Sequence, residues 1–231
     1  MRHLIVGWRR GGMSYIYKCL KSLNMSVGNT FQGTGSLEEA KQKLKQAKPF
    51  EVSSDIVPYL SRLDLPDDLQ VTFLLRDPMR VLNSLYFLGL FHNERSSEVQ
   101  TFFKNHLATE DISTSELIGR PCQFACFYLS FWLDTYNALT LKEKKFLKVE
   151  SYPLDILKHF KLTNSSQSYN AMARVRTDCN ASNTIYSLKF NSLPAHCIFP
   201  MKRMCKDLGY YEPLWNPRGG HAHYVNPEWH H

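Results

Sequence analysis

The segment from Gly7 to Ser14 constrains the fold of this chain more than any other part of the sequence. It reads GWRRGGMS, with an apolar run at 4–6 before it and apolar residues at helical spacing after it. Glycines let a backbone wrap around an anion, and the helix N-terminus adds free N–H groups. This strand–turn–helix pattern predicts a phosphate-binding turn, although an ordinary tight turn between a strand and a helix has the same spacing.

Strand-like and helix-like segments alternate along the rest of the chain. Apolar runs predict strands at 4–7, 50–52, 71–75 and 146–149. Apolar periodicity predicts helices at about 14–23, 37–47, 55–63, 79–90, 121–139, 153–160 and 198–208, with loops at 26–35 and, apart from short helical pieces, at 162–195. The alternation predicts an α/β, three-layer P-loop-type domain with a central parallel sheet flanked by helices. We expect one domain over 1–231, with a C-terminal tail at about 212–231.

Composition and charge limit the kinds of ligand and the location that we expect for this protein. The chain has 231 residues, of which 43% are hydrophobic, and a formal net charge of +7, which favours anionic ligands or only a basic surface. The longest apolar run, 124–139, is interrupted by Ser130 and Asp134 and predicts no membrane span. Because the first residues already read as a core strand, we expect a soluble cytoplasmic protein, luminal only if an anchor precedes this sequence. A nucleic-acid partner is not expected.

Met13 distinguishes the first motif from the phosphate-binding loops of proteins that bind ATP. In the GxxxxGK[ST] pattern a lysine bridges the outer phosphates and the following hydroxyl holds magnesium. Met13 occupies that lysine position, and the positive charge lies upstream at Arg9 and Arg10. The loop therefore suits a donor whose transferred group is not a magnesium-bound γ-phosphate.

A second candidate phosphate site follows the apolar run at 71–75. Arg76 stands at the end of this predicted strand, and Ser84 lies two turns into the helix that follows. Both side chains can reach one phosphate from these positions. A local ion pair of Arg76, with a solvated Ser84, is equally compatible with the pattern.

Both motifs resemble those of PAPS-dependent sulfotransferases. Residues 6–14 are similar to the 5′-phosphosulfate loop, closest to the Arg-Lys-Gly-Gly of the heparan-type carbohydrate enzymes. The Arg76-Asp77-Pro78 run, with Ser84 eight residues after the arginine, resembles the family's 3′-phosphate motif. Looser similarity at 127–132, 146–150 and 208–210 extends the match over about 3–90 and 124–211.

The resemblance implies PAPS as donor, PAP as product and a set of residues that bind them. By this likeness Arg10 stabilises the leaving phosphate, Ser14 contacts the 5′-phosphate, and Tyr15 stands where many members carry an aromatic residue near the adenine. Met13 replaces the usual threonine. The implied nucleotide-binding set is Arg9, Arg10, Gly11, Gly12, Met13, Ser14, Tyr15, Arg76 and Ser84.

The acceptor side of the reaction requires a general base. The family places a histidine or a carboxylate either just after the first loop or on the strand that precedes the 3′-phosphate strand. Glu51 and Asp55 on that strand are therefore the candidate catalytic residues, together with Arg10. The implied acceptor is a hydroxyl of a carbohydrate or small glycoconjugate, and no metal is expected.

Two other functions stay open at this point. A P-loop nucleotide kinase would bind ATP with magnesium, and Met13 speaks against it. A catalytically inactive module that only binds nucleotides or other anions is also compatible with the sequence. Neither the identity of the acceptor nor the oligomeric state follows from these residues.

Overall fold

The described part of the protein is built on a sheet of five parallel strands. The structure is a computed structural model that describes residues 2–87, 121–139, 144–150, 153–163, 165–179 and 193–210. The strands are β1 Arg2–Gly7, β2 Val27–Gly28, β3 Phe50–Val52, β4 Leu69–Leu75 and β5 Lys144–Lys148. They are arranged in the order β2-β3-β1-β4-β5, and every neighbouring pair is parallel.

Helices cover both faces of this sheet. They are α1 Met13–Ser22, α2 Leu37–Lys45, a 3-10 helix Val57–Arg62, α3 Pro78–Phe87, α4 Pro121–Asn137, α5 Pro153–His159, α6 Ser166–Cys179 and α7 Ala195–Asp207. Side chains alternate along β1, because successive residues of a strand point to opposite faces. Leu4 and Val6 join a core with α3, α4 and α7, whereas Ile5 joins a second core with α1, α5 and α6. The predicted three-layer α/β fold is confirmed.

Three of the sequence predictions were wrong in detail. The predicted loop at 26–35 contains β2, whose Val27 is buried and pairs with Phe50. The predicted helix at 55–63 is the shorter 3-10 helix, with a proline in its first turn. The predicted loop at 162–195 contains the 14-residue helix α6. The apolar periodicity of α6 is weak, because Met172 is its only fully buried residue among those whose side chains are described.

The strand order places a crevice above the carboxyl end of β1. The chain leaves β1 toward β2 on one side, while β4 lies on the other side. At such a reversal the loops after neighbouring strands diverge, and in open parallel sheets this is where ligands bind.

In the described ranges no helix is long and apolar enough to cross a membrane. The end of the predicted helix at 79–90 and the tail at 212–231 lie outside the described residues.

Candidate anion-binding and active site

The loop between β1 and α1 is tightly folded. Trp8 is fully buried, and its Nε1 donates a hydrogen bond to the carbonyl oxygen of Leu129 over 3.0 Å. The N–H of Gly11 donates to the carbonyl oxygen of Trp8 over 2.9 Å. Arg10 and Gly12 both have positive φ angles, 64° and 97°. This backbone path turns sharply enough to start α1 directly after the glycine pair.

The two glycines leave no room for side chains at the start of α1. A Cβ on Gly11 would lie 2.8 Å from the carbonyl oxygen of Trp8, and one on Gly12 would collide with Val149. Gly12 is the N-cap residue and provides no side-chain hydrogen bond. The N–H of Tyr15 already donates to the carbonyl oxygen of Gly12 over 3.0 Å, so the N–H groups at the start of α1 that remain for an anion are those of Met13 and Ser14.

The two predicted phosphate motifs contact each other directly. Nη1 of Arg76 donates to the carbonyl oxygen of Arg10 over 2.8 Å. The side chain of Arg10 turns toward α3, where its Nε donates to Oγ of Ser84 over 2.9 Å. The structure therefore brings Arg10, Arg76 and Ser84 together beside the N-terminus of α1.

Arg10 and Arg76 bring two positive charges to this part of the site. Among the described residues, neither Arg10 nor Arg76 forms an ion pair with a carboxylate within 4 Å. Burial lowers the pKa of Arg76, and the positive charges of Arg80 and Arg10 lower it further, while attraction to Glu150 opposes the shift. Two adjacent guanidinium groups of this kind favour the binding of an anion.

A cavity of about 650 Å³ extends from this loop toward the end of β3. Its floor is formed by the start of α1, and its far wall by the residues that follow β2 and β3. Arg10 belongs both to the cavity and to the arginine cluster. The lining residues are Arg9, Arg10, Met13, Ser14, Tyr17, Lys18, Asn29, Gln32, Gly33, Val52, Ser53, Ser54, Asp55 and Leu85.

Asp55 is the carboxylate of this cavity. Its oxygens accept hydrogen bonds from the N–H of Gly33 over 2.7 Å and from Oγ of Ser54 over 2.9 Å. Nη2 of Arg9 lies 3.4 Å from Oδ1, and the N–H of Arg9 donates to the hydroxyl of Tyr128 over 2.9 Å. These contacts hold Asp55 in place with its side chain still 14% exposed.

Glu51 and Tyr15, which belong to the predicted set, lie apart from both the cavity lining and the arginine cluster. Glu51 is 2% exposed, and its oxygens accept hydrogen bonds from N–H and Oγ1 of Thr30 and from N–H of Lys48, at 2.8 to 2.9 Å. This geometry gives Glu51 an anchoring role and leaves Asp55 as the better-placed candidate base. Tyr15 is 7% exposed and packs in the core between the sheet and α1, not along the cavity.

Several cavity residues were not predicted from the sequence. Tyr17 and Lys18 lie three and four residues after Ser14, on the same side of α1. This spacing was a usable signal, since residues three and four apart share a helix face. Ser53 and Ser54 carried no such signal, because their place at the carboxyl end of β3 matters only once the strand order is known.

Comparison with protein-family models, with curated proteins and with solved structures found no match. Within the described ranges, no group of three or more His, Cys, Asp or Glu side chains is arranged to hold a metal ion. The case for a function therefore rests on the residues of this site and on the motifs that they form.

Proposed function

We propose that this chain is a PAPS-dependent sulfotransferase that transfers a sulfuryl group to a hydroxyl acceptor. The observation that carries the proposal is the contact between the two motifs, in which Arg76 holds the backbone of Arg10 and Arg10 reaches Ser84. Separate anion-binding elements are thereby joined at one edge of the cavity. A nucleotide with phosphates at both its 5′ and 3′ positions needs two such elements.

The residues present fit this donor. The glycine pair lets α1 begin directly after the turn, and the N–H groups of Met13 and Ser14 at its start would be the donors to a phosphate. Arg10 and Ser14 would hold the 5′ end of the donor, and Arg76 with Ser84 the 3′-phosphate. Arg9 forms an ion pair with Asp55, so its charge would lie in the cavity and not at the arginine cluster.

The chemistry can be divided between the donor and the chain. When bound, PAPS supplies the sulfuryl group, whose bond to the phosphate oxygen breaks as the acceptor oxygen bonds to sulfur. The carboxylate of Asp55 would accept the proton of the acceptor hydroxyl. The guanidinium of Arg10 would stabilise the charge left on the phosphate, and the fixed backbone N–H groups would need no reorganisation.

The cavity beyond Ser14 is the proposed place of the acceptor. Its wall combines the ring of Tyr17 with amide and hydroxyl side chains of Asn29, Gln32, Ser53 and Ser54. Such a surface offers both donors and acceptors to a polyhydroxylated molecule. A carbohydrate or a small glycoconjugate therefore remains the proposed acceptor class.

Calorimetric titration with PAP, and separately with ATP and magnesium, tests the proposal. PAP is expected to bind the wild type, and Arg76→Ala is expected to weaken it at least about tenfold, because a charge-assisted contact is lost. Arg203→Ala is the matched control, since it removes an exposed arginine of α7 outside this site. Binding of ATP equal to or tighter than PAP would instead support a kinase.

An inactive anion-binding module would give a different result. It would bind PAP with the same dependence on Arg76, yet incubation of PAPS with pooled oligosaccharide acceptors would yield no sulfated product. Formation of PAP together with sulfated product, lost in Arg10→Ala, would exclude that reading.

A further inference from the structure

Glu150 joins the end of the last described helix to the arginine cluster. It follows β5, and its Oε2 accepts a hydrogen bond from the hydroxyl of Tyr210 over 2.9 Å. Its Oε1 accepts one from the N–H of Asp77 over 3.3 Å. Asp77 directly follows Arg76, so a single carboxylate contacts both the chain beyond α7 and the backbone that carries Arg76.

Lys148 fixes Tyr210 from another side. Its Nζ lies 4.6 Å from the centroid of the Tyr210 ring and donates to the carbonyl oxygen of Gly209 over 3.3 Å. Gly209 has a φ of 69°, the left-handed conformation that commonly ends a helix. The N–H of Tyr210 then donates to the carbonyl oxygen of Cys205 over 2.7 Å. With 4% exposure, Tyr210 is held in one place by these contacts.

The charge of Glu150 also acts on the cluster. Arg76 has no ion-pair partner within 4 Å among the described residues, and attraction to Glu150 is the strongest effect that opposes the burial of its guanidinium. Removal of the contacts of Glu150 would therefore free the backbone at Asp77 and alter the field at Arg76.

We infer that Glu150 is a positioning residue for the anion site, and that Tyr210 makes the anion affinity depend on the packing of α7. The inference rests on the proposed function only through the anion site formed by Arg10, Arg76 and Ser84. It predicts that a ligand at this site and the end of α7 stabilise each other, because coupling between two sites is reciprocal.

Tyr210→Phe tests the inference, because it removes the hydroxyl and keeps the ring that faces Lys148. In calorimetric titrations it is expected to weaken PAP binding about three- to tenfold, which is only part of the effect of one charge-assisted hydrogen bond, because Tyr210 acts on the anion through Glu150. Tyr169→Phe, on an exposed tyrosine of α6, is the matched control and should leave the affinity unchanged. In a Glu150→Gln background Tyr210→Phe should cost less, since a neutral amide accepts a weaker hydrogen bond than a carboxylate.

The same titrations separate the inference from the proposed function. An unchanged PAP affinity in Tyr210→Phe would overturn the inference and leave the proposed function standing. If the wild type binds inorganic pyrophosphate but not PAP, the proposed function fails, and the same variants titrated with pyrophosphate decide the inference. Binding of neither anion would overturn both. Thermal unfolding without ligand shows that each variant is folded.

Discussion

Arg76 holds the backbone of Arg10 by a direct hydrogen bond. Its Nη1 donates to the carbonyl oxygen of Arg10 over 2.8 Å, and Arg10 has a φ of 64°, which non-glycine residues seldom adopt. Such a conformation costs free energy and persists only where the surrounding contacts hold it. The second motif therefore stabilises the turn of the first, and the strain is located at the residue proposed to act on the leaving phosphate.

Two substitutions at Arg10 should separate the effect of backbone strain on stability from the effect of the guanidinium charge on PAP affinity. We expect Arg10→Gly and Arg10→Ala to lose PAP affinity equally, because both remove the guanidinium. Arg10→Gly should be the more stable of the two by about 1 kcal/mol, because glycine adopts a positive φ without steric cost. Urea unfolding and calorimetry measure the two effects. Equal stabilities of the two variants would contradict the strain at this position.

Gly12→Ala should destabilise the protein through two separate causes. The φ of 97° is strained for alanine, and the new methyl group would collide with Val149. We expect a loss of about 2–4 kcal/mol in the free energy of unfolding, measured by urea denaturation. Gly33→Ala is the matched control, because its φ is 70° and a Cβ there meets nothing within 4 Å. It should lose only about 1 kcal/mol, from strain alone.

A second substitution isolates the collision at Gly12. In a Gly12→Ala background, Val149→Ala should recover part of the lost stability, although it is destabilising by itself. Such non-additivity is expected only for residues in contact. Additive effects of the two substitutions would show that the approach of Gly12 to Val149 is not what excludes a side chain.

The two candidate bases should respond differently to removal of their charge. Glu51→Gln should lower the free energy of unfolding by about 2–3 kcal/mol, because the buried carboxylate accepts three hydrogen bonds that one amide cannot all replace. Asp55→Asn should change stability less but reduce sulfuryl transfer to pooled acceptors by about 10²–10⁴-fold at unchanged PAP affinity. Transfer that survives in Asp55→Asn would exclude Asp55 as the base.

The fold was largely predictable because most of its elements carry a periodic signal. The buried β4 is apolar apart from Gln70 and Thr72, and α1 shows its buried positions at helical spacing. By contrast β2 has two residues, and among the α6 side chains that the structure describes only Met172 is fully buried, so neither element shows a period. Their structure depends on neighbours, β3 in one case and α1 with α5 in the other, that only the folded sheet brings close.

The site was predictable where a motif fixes the backbone and not where side chains meet across the fold. Arg10, Arg76 and Ser84 were predicted as site residues from two motifs and their resemblance to a known family, yet their mutual contact depends on β1 and β4 being neighbours. The sequence ranked Glu51 with Asp55, because strand alternation does not show which of them faces the cavity. Glu150 and Tyr210 are 60 residues apart and carried no local signal for their contact.

Two histidines at the opposite end of the sheet, the buried His3 and the partly buried His159, should make the protein sensitive to acid. His3 stacks on Phe50 with ring centroids 4.7 Å apart, and Nε2 of His159 lies 2.9 Å from Oγ1 of Thr72. Burial lowers the pKa of each histidine to about 4, and the positive charge of Lys145 contributes to both shifts. Each histidine is therefore neutral in the folded protein at pH values where the unfolded chain already binds a proton.

Stability should accordingly fall as the pH decreases from about 6.5 toward 4. Above 6.5 neither state is protonated at these positions, whereas in this window the unfolded chain takes up more protons, so the slope is at most about 1.4 kcal/mol per pH unit for each histidine. When the free energy of unfolding is measured by urea denaturation between pH 5 and 7, it should depend less steeply on pH in His159→Gln than in the wild type. Glutamine can still form a hydrogen bond with Thr72 but does not titrate. Equal slopes in the two proteins would show that His159 is not held neutral in the fold.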